Sequence, residues 1–424
     1  MIAKSRIALV VLVMVGAAAC GGGDDKTPRA ESRKTEVSYN GPVLPGVEGK
    51  PVWSAPSPGA SVLLGYGNAV AMLSAHQGYQ VTVLDAATGK PLQRHQLDVV
   101  EQPSLLSGEP VRLLRDTVQG RPVAVVRFIE RVPASGTRGE HEQLTDLVLD
   151  TTGRRLWRTP PNGGGDRITH RDRGTFDGGY AISHTKGQGT PDREPRGTTR
   201  FQPISGGGPV DVPSSYDNDD LYDVVGDKAV MREDKVLDDG VRGVDLAQGG
   251  KVVWRVPKAV HVATAGTNVL LRTTGGRLRQ IDVATGRRRT DVPLSEVSGD
   301  QYGFGVDQVR AWAYDPQTRA LIGSGRRTVI IDGDTGRVRW RQDGPNPRPM
   351  TPVASAAGVT FMALEQQQGS GQAQPGPGGF LALDNRTGRV VADNIAVTAL
   401  AVNDGFAVVE HGGSLYGFRL KPTG

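Results

Sequence analysis

The residues best suited to chemistry in this chain are carboxylates. Asp217-Asn-Asp219-Asp220, followed by Asp223, sets acids densely enough to offer oxygen ligands to calcium. The spacing is not that of a calcium-binding loop, so Asp217, Asp219 and Asp220 read first as a solvated acidic loop and only second as a metal site. The seven histidines, His76, His95, His141, His170, His184, His261 and His411, show no His-x-His or zincin spacing. Ser183-His-Thr-Lys186 has the Ser-x-x-Lys order of a nucleophile beside its base, but that chemistry belongs at the start of a helix and these residues end a predicted strand. Neither a Gly-x-Ser-x-Gly elbow nor a phosphate-binding loop is found, and no catalytic residue is assigned.

Composition indicates what kind of framework would position such groups. Of 424 residues, 58 are glycine and 28 proline, a mix expected of many short strands joined by tight turns. The formal charge of +5 includes Lys4 and Arg6. The remainder intersperses both signs, so no nucleic-acid partner is expected. Lys4 and Arg6 precede an apolar run, Ile7 to Val15, and then Gly16-Ala-Ala-Ala-Cys20. A basic start, a short apolar core and small residues at a cut point describe a secretory signal, whereas a membrane span needs about 20 apolar residues. Cys20, the single cysteine, stands at that cut point, and the segment resembles the lipobox of bacterial lipoproteins. It departs from that pattern where Ala17 takes the usual leucine position. The resemblance implies that residues 1–19 are a signal peptide and that Cys20 carries lipid, anchoring the mature protein at the extracytoplasmic face of the cell membrane. Residues 20–48 show no apolar period and read as a flexible tether.

The rest of the chain is built from a repeat. Trp53, Trp157, Trp254 and Trp340 each stand four residues after a glycine: Gly49, Gly153, Gly250 and Gly336. Such fixed self-similarity indicates a solenoid, propeller or array. Upstream the phrase continues as Leu84-Asp85-Ala-Ala-Thr-Gly89, Ile281-Asp282-Val-Ala-Thr-Gly286, Ile331-Asp332-Gly-Asp-Thr-Gly336 and Leu383-Asp384-Asn-Arg-Thr-Gly388. Shortened and worn copies run from Asp150 to Gly153 and from Asp245 to Gly250. Aspartate suits the turn because its carboxylate accepts N–H groups two residues on, and glycine supplies the positive φ. These aspartates therefore read as structural punctuation rather than as acids or metal ligands.

Two further short strands precede each phrase, so the unit is four antiparallel strands, the size of a propeller blade. Fourth strands are expected to begin near residues 49, 89, 153, 207, 250, 286, 336 and 388. The expectation is an all-β, eight-bladed propeller over residues 49–424. Seven blades is the alternative, because the unit near 207 has lost both aspartate and tryptophan. Three strands near 398–402, 406–410 and 414–420 lack a fourth, and the first phrase is a fourth strand lacking three. Their pairing would close the ring and leave no long open edge. Each tryptophan is expected to pack into the face of the neighbouring blade.

The phrase Leu-Asp-x-x-Thr-Gly-x-x-x-Trp resembles the repeat of pyrroloquinoline-quinone-type β-propellers. That group includes quinoprotein alcohol dehydrogenases, the propeller lipoprotein of the outer-membrane β-barrel assembly machinery, and bacterial surface lipoproteins. The resemblance covers residues 49–424 and bears on fold; members differ in function. A quinoprotein dehydrogenase would imply a vicinal cysteine pair, an aspartate base and calcium ligands. Cys20 stands alone and no such ligands map, so neither pyrroloquinoline quinone nor another cofactor is expected. Excursions between second and third strands, at 132–143, 187–197 and 366–378, together with 213–220, are expected to crowd one face, where loops on a rigid scaffold concentrate binding residues. The expected function is a non-catalytic, membrane-anchored scaffold that binds a protein or an extracellular ligand. The alternative is a quinoprotein-like oxidoreductase, or a hydrolase, with its site at the central channel.

Overall fold

A short apolar strand between glycine turns must bury its sheet's two faces against other layers. In this chain the layers are copies of the same sheet. The computed structural model describes residues 37–76, 78–100, 110–136, 139–160, 176–186, 197–214, 221–233, 240–293, 311–315, 317–324, 327–344, 347–348, 350–364, 379–397 and 399–421. Eight antiparallel sheets of four strands follow one another in chain order. Blades 1 to 7 span residues 60–96, 111–158, 176–214, 221–257, 259–293, 311–341 and 350–395. Blade 8 joins Ala399–Val402, Phe406–His411 and Ser414–Arg419 to the N-terminal strand Trp53–Pro56, with Trp53 opposite Gly417 and Pro56 opposite Ser414. The two ends of the chain thus close the ring. The worn unit near residue 207 is a complete blade with Val210–Ser214 as its fourth strand, so the count is eight and not seven.

First strands of neighbouring blades touch one another from blade 5 through blade 8 to blade 2. They therefore line the axis, and fourth strands form the rim. The core lies in the seams between blades, because alternate residues of each strand face opposite neighbours. In blade 1, Val70, Met72 and Leu84 pack with Val408 and Leu415 of blade 8. Ala71, Val81 and Val83 pack instead with Val126, Leu147 and Leu149 of blade 2.

First-to-second and third-to-fourth turns share one face, which we call the turn face. The Ala86 N–H donates to Asn68 O, that of Val283 to Thr267 O, and that of Asn385 to Gly358 O. The opposite, loop face carries second-to-third connections. In blade 2 this connection is an extended hairpin, since Arg121–Val132 and His141–Leu149 pair out to Val132 opposite His141. The expected excursions at 187–197, 213–220 and 366–378 lie almost wholly outside the described residues.

The folded part begins earlier than residue 49. Leu44 and Val47 are each 4% exposed and pack with Ile395, Val397 and Phe418 in the seam of blades 7 and 8. Tyr39 lies edge-on to Tyr416 and Phe418. Three apolar residues without a period leave no mark of an element in the sequence, and a tether ending at 48 runs too far. Residues 1–36, with Cys20, lie outside the described residues.

Candidate functional site

The repeat aspartates are engaged locally. Asp85 accepts the backbone N–H of Thr88 at 2.8 Å and its hydroxyl at 2.7 Å, while its own carbonyl accepts Gly89 N–H at 2.8 Å. Asp282 with Thr285 and Asp384 with Thr387 repeat this pattern. Asp332 takes the N–H groups of Asp334 and Thr335, and Asp150 those of Thr152 and Arg154. Partial burial alone would raise these carboxyls. Bonds from threonine and arginine outweigh it, holding Asp150, Asp282 and Asp384 below their usual value and Asp332 down at about 2. An acid depressed in the folded state contributes stability that is complete above its unfolded value of roughly 4 and is lost as pH falls through the folded one. The melting temperature is therefore expected to fall as pH drops below about 4, less steeply in Asp332→Asn. A Tm unchanged down to pH 2.5 contradicts this.

Each turn glycine receives a rim side chain from the preceding blade. Trp53 donates Nε1–H to Ala86 O at 2.8 Å and Trp254 to Val283 O at 2.7 Å. Their rings occupy the space that a Cβ on Gly89 or Gly286 would need, and Trp340 does the same at Gly388. Behind each ring of the first pair lies a glycine of its own sheet, Gly417 or Gly243. Trp53 and Trp254 are 6% and 8% exposed, whereas Trp157 and Trp340 are half-buried. Trp157 faces the worn blade 3, whose turn lacks the motif, and lies 5.9 Å from the Phe176 ring. Elsewhere a smaller side chain takes the place: Gln93 on Gly153, Val212 on Gly250 and Thr290 on Gly336. Gly388→Ala is expected to cost more than Gly120→Ala, although their φ values of 69° and 72° are alike, because only Gly388 has a ring against it. The left-handed backbone alone is worth about 1–2 kcal/mol. Equal losses of Tm in the two variants would show that the ring contact is energetically idle.

Polar clamps also hold the ring, at seams with and without a docked tryptophan. Arg127 pairs with Asp146 through Nε–Oδ1 at 2.8 Å and Nη2–Oδ2 at 3.2 Å. Asp146 also accepts Phe176 N–H of blade 3 at 3.0 Å. Beside it Arg158 pairs with Glu130, which accepts the Thr145 hydroxyl. At the axis Asp116 of blade 2 accepts Gly178 N–H of blade 3 at 3.0 Å, and Asp177 of blade 3 accepts Val224 N–H of blade 4 at 3.1 Å. Burial pushes Asp116 up to about 6 and the Asp223 charge adds to it, against the Thr117 and Gly178 N–H bonds and Arg127. On the far side of the ring, Asn385 of blade 7 donates to Asp315 of blade 6 at 2.8 Å. These carboxylates escaped sequence reasoning. Their one signal is an acid near the end of the first strand, at Asp116, Asp177, Asp223 and Asp315, visible only once first strands are aligned blade on blade.

The remaining candidates are dispersed. Asp217, Asp219 and Asp220 lie outside the described residues. Among the described residues no group of three His, Cys, Asp or Glu side chains is placed to hold a metal. His184, from the Ser183-x-x-Lys186 segment, sits within a strand, with Nδ1 at 3.3 Å from Thr199 Oγ1 and 3.4 Å from Ser214 Oγ. Toward the channel, Tyr222 and His261 stack at 4.6 Å, and Arg115 reaches Asp404 across blade 1 at 3.5 Å.

Ring closure and the turn phrase together define the class: the chain is an eight-bladed β-propeller whose turns repeat an Asp-x-x-Thr-Gly phrase. The family model described as outer membrane protein assembly factor BamB matches residues 237–395. Among solved structures, BamB from Moraxella catarrhalis is similar at 12% identity and a TM-score of 0.44, covering 88% of this chain and 98% of its own. Sqt1 of Saccharomyces cerevisiae is similar at 9% and 0.45, covering 87% and 98%. The computationally designed Ika8 protein is similar at 14% and 0.40, covering 86% and 97%. No curated protein matches the chain.

Proposed function

We propose that this protein is a non-catalytic binding scaffold. Lipid on Cys20 holds it at the extracytoplasmic face of the cell membrane, and the loop face of its propeller is presented to a protein or extracellular ligand. One observation carries the reading: the recurring residues are occupied in holding blades together. Turn aspartates cap their own turns, Trp53, Trp254 and Trp340 sit on the next blade's glycine, and Asp116 and Asp177 clamp backbone N–H groups at the axis. What varies from blade to blade is the loop face, where a rigid frame can carry recognition. The match to a family described as an assembly factor supports a role in protein interaction.

The test is crosslinking and affinity capture of the lipidated protein from its native membrane. The reading expects a specific partner that is lost when residues 133–140 and 366–378 are replaced by tight turns, with Tm unchanged. Cys20→Ser should release the protein from the membrane fraction. Retention of every partner after the loops are shortened would overturn the binding face, and membrane retention of Cys20→Ser would overturn the anchor.

A further inference from the structure

Single exposed apolar side chains are ordinary on a soluble surface. Here they recur at one repeat position on three consecutive blades. The third residue after the repeat glycine is Val391 in blade 7, Val52 in blade 8 and Leu92 in blade 1, exposed by 46%, 40% and 45%. Val390 beside them is 55% exposed, and Val43, in the segment leading into blade 8, is 88% exposed. Elsewhere on the ring the same position is treated differently. Blades 5 and 6 place Arg289 and Arg339 there, each paired with the carboxylate of its own turn, Asp282 or Asp332, at 2.8 and 2.6 Å. In blades 2 and 4 the residue is half-buried, Leu156 or Val253.

The apolar arc is interleaved with cations. Lys50, Lys90, Arg386, Arg389, Arg419 and Lys421 are all exposed in these three blades. Of the nearby acids, Asp85 and Asp384 turn onto N–H groups of their own turns, Asp404 lies against Arg115 and Asp393 against Arg348, leaving Glu48 exposed. Apolar tips among cations, on an arc spread over three blades, match a surface that is flat, anionic outside and apolar just beneath.

We propose that the turn-face rim of blades 7, 8 and 1 is a docking patch for anionic phospholipid. Val52, Leu92, Val390 and Val391 enter the headgroup layer and the surrounding lysines and arginines meet the lipid phosphates. A planar bilayer offers phosphates and apolar depth to all three blades at once. The patch deepens the membrane-anchored reading and rests on it. The chain from Cys20 to Val37 can extend at most about 60 Å, so a lipid on Cys20 would hold the patch at high local concentration, and weak affinity would suffice to orient the disc. With the turn face down, the loop face is turned outward.

The test uses the chain from residue 20 onward carrying Cys20→Ser, so that binding does not depend on lipidation, which is read separately from the mass of the N-terminal peptide of the native protein. Co-sedimentation is measured with vesicles of phosphatidylcholine alone and of phosphatidylcholine with phosphatidylglycerol. Binding is expected to be at least about tenfold stronger on the anionic vesicles. It should fall by a similar factor in the triple variant V52D/L92D/V391D and in K50E/K90E/R389E. The control R287E/R337E, on blades 5 and 6, should leave it nearly unchanged, with all variants melting as the parent does. Absence of vesicle binding, equal binding to neutral vesicles, or an equal loss in the control would each overturn the patch while leaving the anchor at Cys20 to stand or fall on its own mass measurement.

Discussion

Trp254→Ala should lower the melting temperature of the propeller sharply, at a cost of about 3–5 kcal/mol, the range for removing a buried aromatic. Three losses coincide at this residue. The indole is 8% exposed in the seam of blades 4 and 5, so its removal opens a cavity. The Val283 carbonyl loses its Nε1–H partner at 2.7 Å. Gly243 and Gly286, which have no side chains to offer, are left facing each other across the space the ring filled. Trp157→Ala is the internal comparison. That ring is half-buried and faces a blade without the glycine turn, so its loss should be clearly smaller, measured by thermal melting at one pH. Equal shifts for the two variants would refute docking on the glycine as the source of the energy.

Arg127→Ala should be comparably damaging for an opposite physical reason. Asp146 is fully buried and Arg127 only 14% exposed at the side chain. Removing the guanidinium strands a carboxylate away from water, and breaking such a pair by deleting one partner typically costs about 3–5 kcal/mol. The damage should concentrate between blades 2 and 3, because Asp146 and Arg127 both bond the backbone of Phe176. Hydrogen exchange is therefore expected to accelerate first at Phe176 and Asp177. R127L combined with D146L should recover part of the loss, since no unpaired charge then remains. A double variant worse than the sum of the singles, or a loss below about 1 kcal/mol in Arg127→Ala, would refute this account.

The contrast between these residues shows what was legible. Trp254 could be singled out because the spacing from Gly250 repeats in four phrases, and a repeated register exposes itself without any knowledge of contacts. Arg127 and Asp146 face each other across a strand pair and stand outside the repeated phrase, so nothing in the sequence sets them apart. Leu44 and Val47 were hidden for a related reason: two apolar residues in a glycine- and charge-rich stretch make no period, and only the seam they fill gives them meaning. Trp157 carries a further lesson. Its phrase is intact, yet its burial depends on the next blade, whose motif has decayed.

The sequence by itself determined the repeating unit, its strands and the closure of the ring. The chemistry that sets these is short-range: an aspartate caps a threonine three residues on, as at Asp85 and Thr88, and an incomplete unit at each end of the chain calls for the other. The tertiary structure alone decided how one blade holds the next. Those contacts join residues far apart in the chain, such as Asp116 with Gly178 or Asp315 with Asn385. They are set by the rotation that stacks one twisted sheet on another, and no local pattern encodes it. The same rotation brings Val391, Val52 and Leu92 to one arc of the rim, where three separate and unremarkable side chains become a surface.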